Sequence, residues 1–294
     1  MKILNFGSLN IDNVYSVDHI VGAGETILST KRQRFVGGKG LNQSIAMARA
    51  GLDVFHAGII GNDGDILIET LNENGVDTSL VKKENELTGH TFIQVDKDGQ
   101  NSIVLYGGTN QMITEYYIME VLDRFEKNDL IILQNEINCL DKIIDIASSK
   151  GMIIALNPSP YNEKITKCSL DKVSIFFVNE IEGAEISSEN ADEPGKIMDW
   201  FESALINAEL VLTLGEKGAW YADPVRGIRY YQPANDVTTV DTTAAGDTFT
   251  GYFLSSWTKG EKPELCMKRA ADAAAISVSR NGAASSIPYE NELE

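Results

Sequence analysis

Short runs of β-branched and aliphatic residues recur along the chain at Ile3–Phe6, Val54–Ile60, Leu130–Leu133, Ile153–Leu156, Ile175–Val178 and Val211–Leu214, with amphipathic stretches between them. Strand, helix and strand repeated in this way restrict the fold to an α/β class, a doubly wound and mainly parallel sheet covered on both faces. The intervening helix signals agree. Leu41–Ala50 stops at Gly51, Ile66–Asn74 at Gly75 and Asp141–Lys150 at Gly151, while Thr114 is placed to cap Glu115–Phe125.

The alternation breaks twice, at Val14–Phe35 and His90–Tyr106, where β-type residues follow one another without a helix. Asp98-Gly99 marks a hairpin in the second stretch. These strands are expected to form a small sheet projecting from the main one, inserted from about 14–35 and 90–106, a lid or else a plain surface hairpin. Neither repeats nor flexible linkers interrupt the sequence, so residues 1–294 are expected to make one catalytic domain.

A formal net charge of −18 disfavours nucleic acid and anionic membrane as partners. It also repels phosphorylated ligands, so a phosphate site has to rest on local cations, metal ions and backbone N–H groups. The N-terminus reads as a strand, with no secretion signal, and no apolar run approaches bilayer length. Cys139, Cys168 and Cys266 are odd in number and lack CxxC spacing, which points to a reducing cytoplasm. His19, His56 and His90 are scattered and read as surface or packing residues rather than zinc ligands.

The most specific segment is Val240 to Gly251, VDTTAAGDTFTG. A β-rich run, Val237–Val240, enters it, and a helix marked by Phe249, Phe253 and Trp257 leaves it. Ala244, Ala245 and Gly246 thus stand at a helix N-terminus, where unpaired N–H groups and the helix dipole attract an anion and no bulky side chain obstructs it. Alone, Asp247 would be no more than a favourable helix-start carboxylate. A P-loop GxxxxGK[ST] is absent, so a loop of that type cannot cradle a phosphate in this chain.

Asp241–Gly251 resembles the DTxAAGDxFxG signature of the ribokinase-type (PfkB) carbohydrate kinases. Gly37-Gly38-Lys39-Gly40-Leu41-Asn42 is similar to the family's N-terminal glycine-rich turn, and Asn179-Glu180-Ile181-Glu182 to its NxxE motif. The likeness runs from Gly7 to Gly282. It implies transfer of the γ-phosphoryl group of ATP to a primary hydroxyl of a small sugar, D-ribose first, with another sugar or a nucleoside as alternatives and a non-catalytic sugar sensor as a third. By this resemblance Asn10, Asp12, Gly38, Lys39, Gly40, Asn42 and Glu136 bind the sugar, and Asp247 is the catalytic base beside Ala244, Ala245 and Gly246. Asn179, Thr213, Leu214, Gly215, Glu216, Lys217, Gly218, Gly246 and Ala271 line the nucleotide site by this resemblance, with Ala271 standing where the family can carry histidine. Asn179 and Glu182 organise Mg²⁺ through water. Asp241, Thr243, Ser277, Arg280, Gly282 and Ser286 supply oxygen ligands to K⁺. The resemblance also implies a homodimer paired through the lid sheets. On the lid strand Gly89–Ile93, alternation means that if Thr91 and Ile93 face the sugar, Phe92 points away.

Overall fold

The computed structural model describes residues 1–293. Its main sheet contains β1 (Ile3–Phe6), β4 (Val54–Ile60), β5 (Asp77–Lys83), β8 (Leu130–Gln134), β9 (Ile153–Asn157), β10 (Ile175–Asn179), β11 (Glu209–Thr213), β12 (Ala219–Asp223) and β13 (Ile228–Gln232). They lie in the order β13-β12-β11-β10-β9-β8-β1-β4-β5. From β11 to β5 every pairing is parallel, and β12 and β13 add an antiparallel edge. β1 and β8 are buried along their whole length, which explains why their sequences are unbroken apolar runs rather than alternating ones.

Alternation divides the core between the two faces. Leu4 and Phe6 join α3 (Glu115–Leu122), α4 (Leu140–Ser149) and α6 (Pro194–Ala204) through Tyr117, Ile143 and Phe201. Ile3 joins the opposite layer, where α1 (Lys39–Arg49), α2 (Asp65–Glu73), α7 (Ala245–Thr258) and α8 (Pro263–Val278) contribute Ile45, Leu67, Phe253 and Ala270. The remaining helix, α5 (Glu180–Ser187), follows β10 directly. Burial of a side chain such as Phe253 contributes about 1.5–3 kcal/mol.

All six strands expected from the sequence are present, within a residue or two of their ends. β5, β12 and β13 were not evident, because Asp77–Lys83 is charged at both ends and β12 and β13 carry mixed aromatic and polar residues. The β-rich run Val237–Val240 is not a strand. The N–H groups of Val240 and Asp241 donate instead to the Val278 carbonyl at the end of α8, at 2.7 and 3.2 Å. Three helices, α1, α2 and α4, also begin earlier than their periodicity suggests. α1 starts at Lys39, so Lys39 and Gly40 sit in its first turn rather than in a loop before it.

The small sheet consists of β2 (Asn10–Ser16), β3 (Lys31–Gly37), β6 (Gly89–Val95) and β7 (Asn101–Tyr106), in the order β3-β2-β6-β7. It starts at Asn10 rather than Val14, so Asn10 and Asp12 ride on the lid itself. Parallel pairing of β2 with β6 sets Asp12 beside Thr91 and Asn13 beside Phe92. Phe92 stacks on Tyr15 with ring centroids 4.5 Å apart, on the face away from Asp12 and Thr91, as strand alternation requires.

What positions α7 is its contact with α1. Gly251 has no side chain where a Cβ would lie 2.4 Å from the Ala46 Cβ and 2.8 Å from backbone atoms of Ala46 and Met47. The two helices therefore touch backbone to backbone, and neither rigid partner can give way. Gly251→Val is expected to lower stability by about 1–3 kcal/mol, the usual range for overpacking, read as a reduced urea midpoint. An unchanged midpoint would show that α1 and α7 separate at no cost.

Candidate active site

The turn before α7 is shaped for an anion. Ala244 takes the left-handed conformation, φ 61°, at the helix N-cap. The Ala245 N–H donates to the Thr242 carbonyl at 3.2 Å and the Thr248 N–H to the Ala244 carbonyl at 2.8 Å. Among the described residues the N–H groups of Gly246 and Asp247 have no acceptor. A Cβ added at Gly246 would meet nothing within 4 Å, so the approach to these donors is open.

Asp241 braces the turn from outside. One of its carboxylate oxygens accepts from the Thr243 N–H at 2.9 Å and the Thr243 hydroxyl at 2.6 Å, and the other accepts from the Gly282 N–H at 2.9 Å. Burial works to raise its pKa, but these hydrogen bonds outweigh burial and hold the carboxyl below its usual range. The Ser277 and Ser286 hydroxyls hydrogen-bond each other at 2.8 Å in the same region. The Arg280 guanidinium turns to Glu292, 2.6 Å away, leaving only its backbone near the turn.

Beside the turn opens a cleft of about 960 Å³. Thr213, Gly215, Glu216, Lys217, Gly218, Gly246 and Ala271 line it, as do Ala245 and the loop residues Val237 and Thr239. Its apolar wall is Phe249, Ala271, Ala274, Ala275 and Val278. Leu214 and Asn179 are outside this lining. Asn179 and Glu182 instead form a capping box on α5. The Glu182 N–H donates to Asn179 Oδ1 at 2.8 Å, and the Asn179 N–H to Glu182 Oε2 at 3.1 Å.

On the other side of the α7 N-terminus lies a buried polar group assembled from four elements. The Asp247 carboxylate accepts from Asn42 Nδ2 at 3.1 Å and from Gln43 Nε2 at 2.9 Å, both on α1. Glu136, just past β8, accepts from the Lys39 N–H at 2.8 Å and from the Ser8 hydroxyl. Burial pushes the Glu136 carboxyl up despite these donors and Lys39. At the lid, Asp12 accepts from the Thr91 hydroxyl at 2.5 Å, and burial again raises its pKa more than that hydrogen bond lowers it. The Asn110 amide holds Asn10 Oδ1 at 2.7 Å. Lys39 is the cation of this group. Its burial pulls the pKa down, but the Asp247, Glu136 and Glu182 carboxylates prevail and keep it above the usual value.

Backbone geometry allows these residues to meet. Gly38 at φ 96° turns the chain from β3 into α1. At Gly40 a Cβ would lie 2.4 Å from the Ser8 nitrogen, so the first turn of α1 rests directly on the chain leaving β1. Sequence reasoning did not single out Gln43, Ser8 or Asn110. Gln43 was detectable, because it lies one helical turn after Lys39 and next to Asn42.

A helix N-terminus with free donors, set between a nucleotide-sized cleft and a buried carboxylate, is the arrangement of a phosphotransferase that moves a phosphoryl group across that point. The chain matches the pfkB family carbohydrate kinase profile over residues 1–290 and belongs to that family. It is 33% identical to a ribokinase of Bacillus subtilis (strain 168) over 297 residues, 100% of this chain and 98% of that protein. A deoxyribokinase of Salmonella typhi is 29% identical, over 98% of this chain and 96% of its own length. The structure of Arabidopsis thaliana ribokinase complexed with ribose and ATP aligns with a TM-score of 0.87 at 26% identity, covering 99% of this chain and 96% of that one. The protein is an ATP-dependent carbohydrate kinase of ribokinase-like type.

Because burial disfavours ionised Glu136, its charge opposes folding at neutral pH. The raised pKa means that this penalty is absent below about pH 4.5, where the group is protonated folded or unfolded, and grows as pH rises through the folded value. Glu136→Gln is therefore expected to fold at least as stably as the parent at pH 7.5, with an advantage that disappears toward pH 4.5. Urea midpoints at the two pH values provide the check.

Proposed function

We propose that the protein phosphorylates the primary 5-hydroxyl of D-ribose with ATP, the main sheet and the lid acting as one catalytic unit. The observation that carries this reading is the place of the α7 N-terminus, with the 960 Å³ cleft on one side and the Asp247, Glu136 and Asp12 carboxylates on the other. ATP lies along Thr213–Gly218 with its base against the Ala271 wall and its phosphates toward Gly246. Ribose lies under the lid, held by Asn10, Asp12, Gly38, Lys39, Gly40, Asn42 and Glu136. Asp247 accepts the proton of the attacking hydroxyl as the new O–P bond forms and the bond to the ADP bridging oxygen breaks. The Gly246 and Asp247 N–H groups stabilise the charge on the transferring oxygens.

Among the described residues no cluster of three or more His, Cys, Asp or Glu side chains is set to hold a metal. That donor set suits Mg²⁺ carried by the nucleotide and its waters, with Asn179 and Glu182 reaching it through solvent, where the ion would neutralise triphosphate charge. The Thr243 hydroxyl donates to the Asp241 carboxylate and the Ser277 and Ser286 hydroxyls hydrogen-bond each other; with the backbone carbonyls of Arg280 and Gly282 these oxygens are the proposed ligands of a K⁺ ion. A cation there would stiffen the turn without touching the substrates. The lid exposes Phe35, Phe92, Ile103, Val104, Leu105 and Tyr106 on a sheet with open edges, which favours a homodimer joined through the lids. The free state of all three cysteines suits the cytoplasm. No described helix is long and apolar enough to cross a membrane.

A second reading, 2-deoxyribose as acceptor, is favoured by one contact. Thr91 donates to Asp12 Oδ1 at 2.5 Å and occupies part of the carboxylate that a pair of adjacent sugar hydroxyls would use. Coupled ADP-release assays over pentoses, 2-deoxyribose, hexoses and nucleosides separate the readings. Ribose is expected to give the highest kcat/KM. A higher value for deoxyribose selects the second reading, and a hexose or nucleoside at the top overturns both. Asp12→Ala is expected to cost sugar binding on the order of 2 kcal/mol, measured by titration calorimetry. Asp247→Asn is expected to lower kcat by about 10²- to 10⁴-fold with both substrates still bound. Omitting K⁺ is expected to lower turnover, and equal rates with and without it would remove the cation from the scheme.

A further inference from the structure

We propose that Gln43 and Gln134 are positioning residues for the Asp247 carboxylate, aiming it at the acceptor hydroxyl through a hydrogen-bond chain whose direction is locked from behind. The inference rests on the reading of Asp247 as the base. A carboxylate can only accept, so Gln43 has to present its Nε2, at 2.9 Å from Oδ1. The same amide turned over would set its oxygen against the carboxylate and push Asp247 off line. What prevents the turn is Gln134 on β8, whose Nε2 donates to Gln43 Oε1 at 2.6 Å.

Gln134 is fixed in turn. Its Nε2 also donates to Asn5 Oδ1 on β1 at 3.0 Å. Asn5 Nδ2 donates to the Gly40 carbonyl at 2.7 Å and to Ser44 Oγ at 2.9 Å. The Gly40 carbonyl is backbone and cannot change its polarity, so it sets the sense of the whole chain. Ser44 then has its hydroxyl hydrogen left for His56 Nδ1 at 2.8 Å. Complete burial drives the His56 pKa down to about 3 against a smaller opposing effect of the Gly7 backbone, so the ring is neutral and Nδ1 can accept. Every amide from Asp247 to His56 thus has one permitted orientation.

The second observation is what this orientation leaves unpaired. Gln134 Oε1 is buried without a partner, although an apolar side chain of the same shape would leave no such acceptor. The oxygen occupies the space over Gly7, where a Cβ would come within hydrogen-bonding distance of it or closer. A buried amide kept with half its hydrogen-bonding capacity unused is understandable if its donor half has a task, and both its hydrogens are spent on the chain that orients Gln43.

The test uses Gln43→Met, Gln134→Met and the double variant, with Asp247→Asn alongside, assayed on the best sugar of the panel. Gln43→Met is expected to lower kcat by about 10- to 100-fold, the scale of a misplaced reacting group, with KM for sugar and ATP within about twofold of the parent. Gln134→Met is expected to lower kcat in the same way but less. The double variant is expected to match Gln43→Met, since Gln134 acts only through Gln43. A merely structural role predicts multiplied losses and a change in KM, and either result overturns the proposal. So does an unchanged kcat in Gln43→Met when Asp247→Asn is inactive. Full activity in Asp247→Asn instead removes the base assignment on which the proposal stands. If Gln43→Met does not fold, Gln134→Met decides the matter by the same division between kcat and KM.

Discussion

The close contact of α1 with α7 is the constraint on which the site depends. Gly251 lets the helix backbones meet at Ala46, and that approach brings Asn42 and Gln43 within hydrogen-bond distance of Asp247. The same placement fixes where the free N–H groups of Gly246 and Asp247 point, because they belong to the first turn of the docked helix. The nucleotide cleft, in turn, has the far face of that helix and α8 as its wall. Cleft, anion turn and carboxylate are three aspects of one packing decision.

Electrostatics then sets the character of the site. Asp12 and Glu136 are both raised by burial, and the main positive charge among them is Lys39, held charged by the carboxylates around it. In a chain of net charge −18, attraction of a triphosphate comes from short-range backbone donors and any accompanying cations rather than from the overall field. The carboxylate side is different, since carboxyl groups held at raised pKa are poor neighbours for one another but strong acceptors for hydroxyl groups.

Much of this was legible in the sequence because the signals were periodic or contiguous. Parallel strands buried on both faces gave unbroken apolar runs, and the Asp241–Gly251 segment carried its turn, anion site and carboxylate within eleven adjacent positions. The misses share a physical cause. Val237–Val240 has strand composition, but Val240 and Asp241 spend their N–H groups on the Val278 carbonyl at the end of α8, a contact made only in the folded chain. β12 and β13 are held by antiparallel neighbours rather than by hydrophobic pattern. Gln43, Gln134, Asn5 and Ser44 are ordinary polar residues in sequence, and their connection exists only once β1, β8 and α1 lie side by side. Asn179 and Glu182 formed a recognisable motif, but their mutual capping of α5 gives that spacing a structural purpose of its own.

The hydrogen bond from Asn42 to Asp247 joins residues 205 positions apart. During synthesis the lid, the first turn of α1 and most of the parallel sheet leave the ribosome well before α7, and domains tend to organise from the N-terminal side as they emerge. Asn42 and Gln43 are therefore synthesised well before Asp247, the free N–H groups of the first α7 turn and the helical wall of the cleft. Because α7 and α8 emerge last, a ribosome stalled before α7, or a protease that removes the C-terminal helices, leaves a chain without Asp247, the Ala244–Gly246 turn and the helical wall of the cleft all at once.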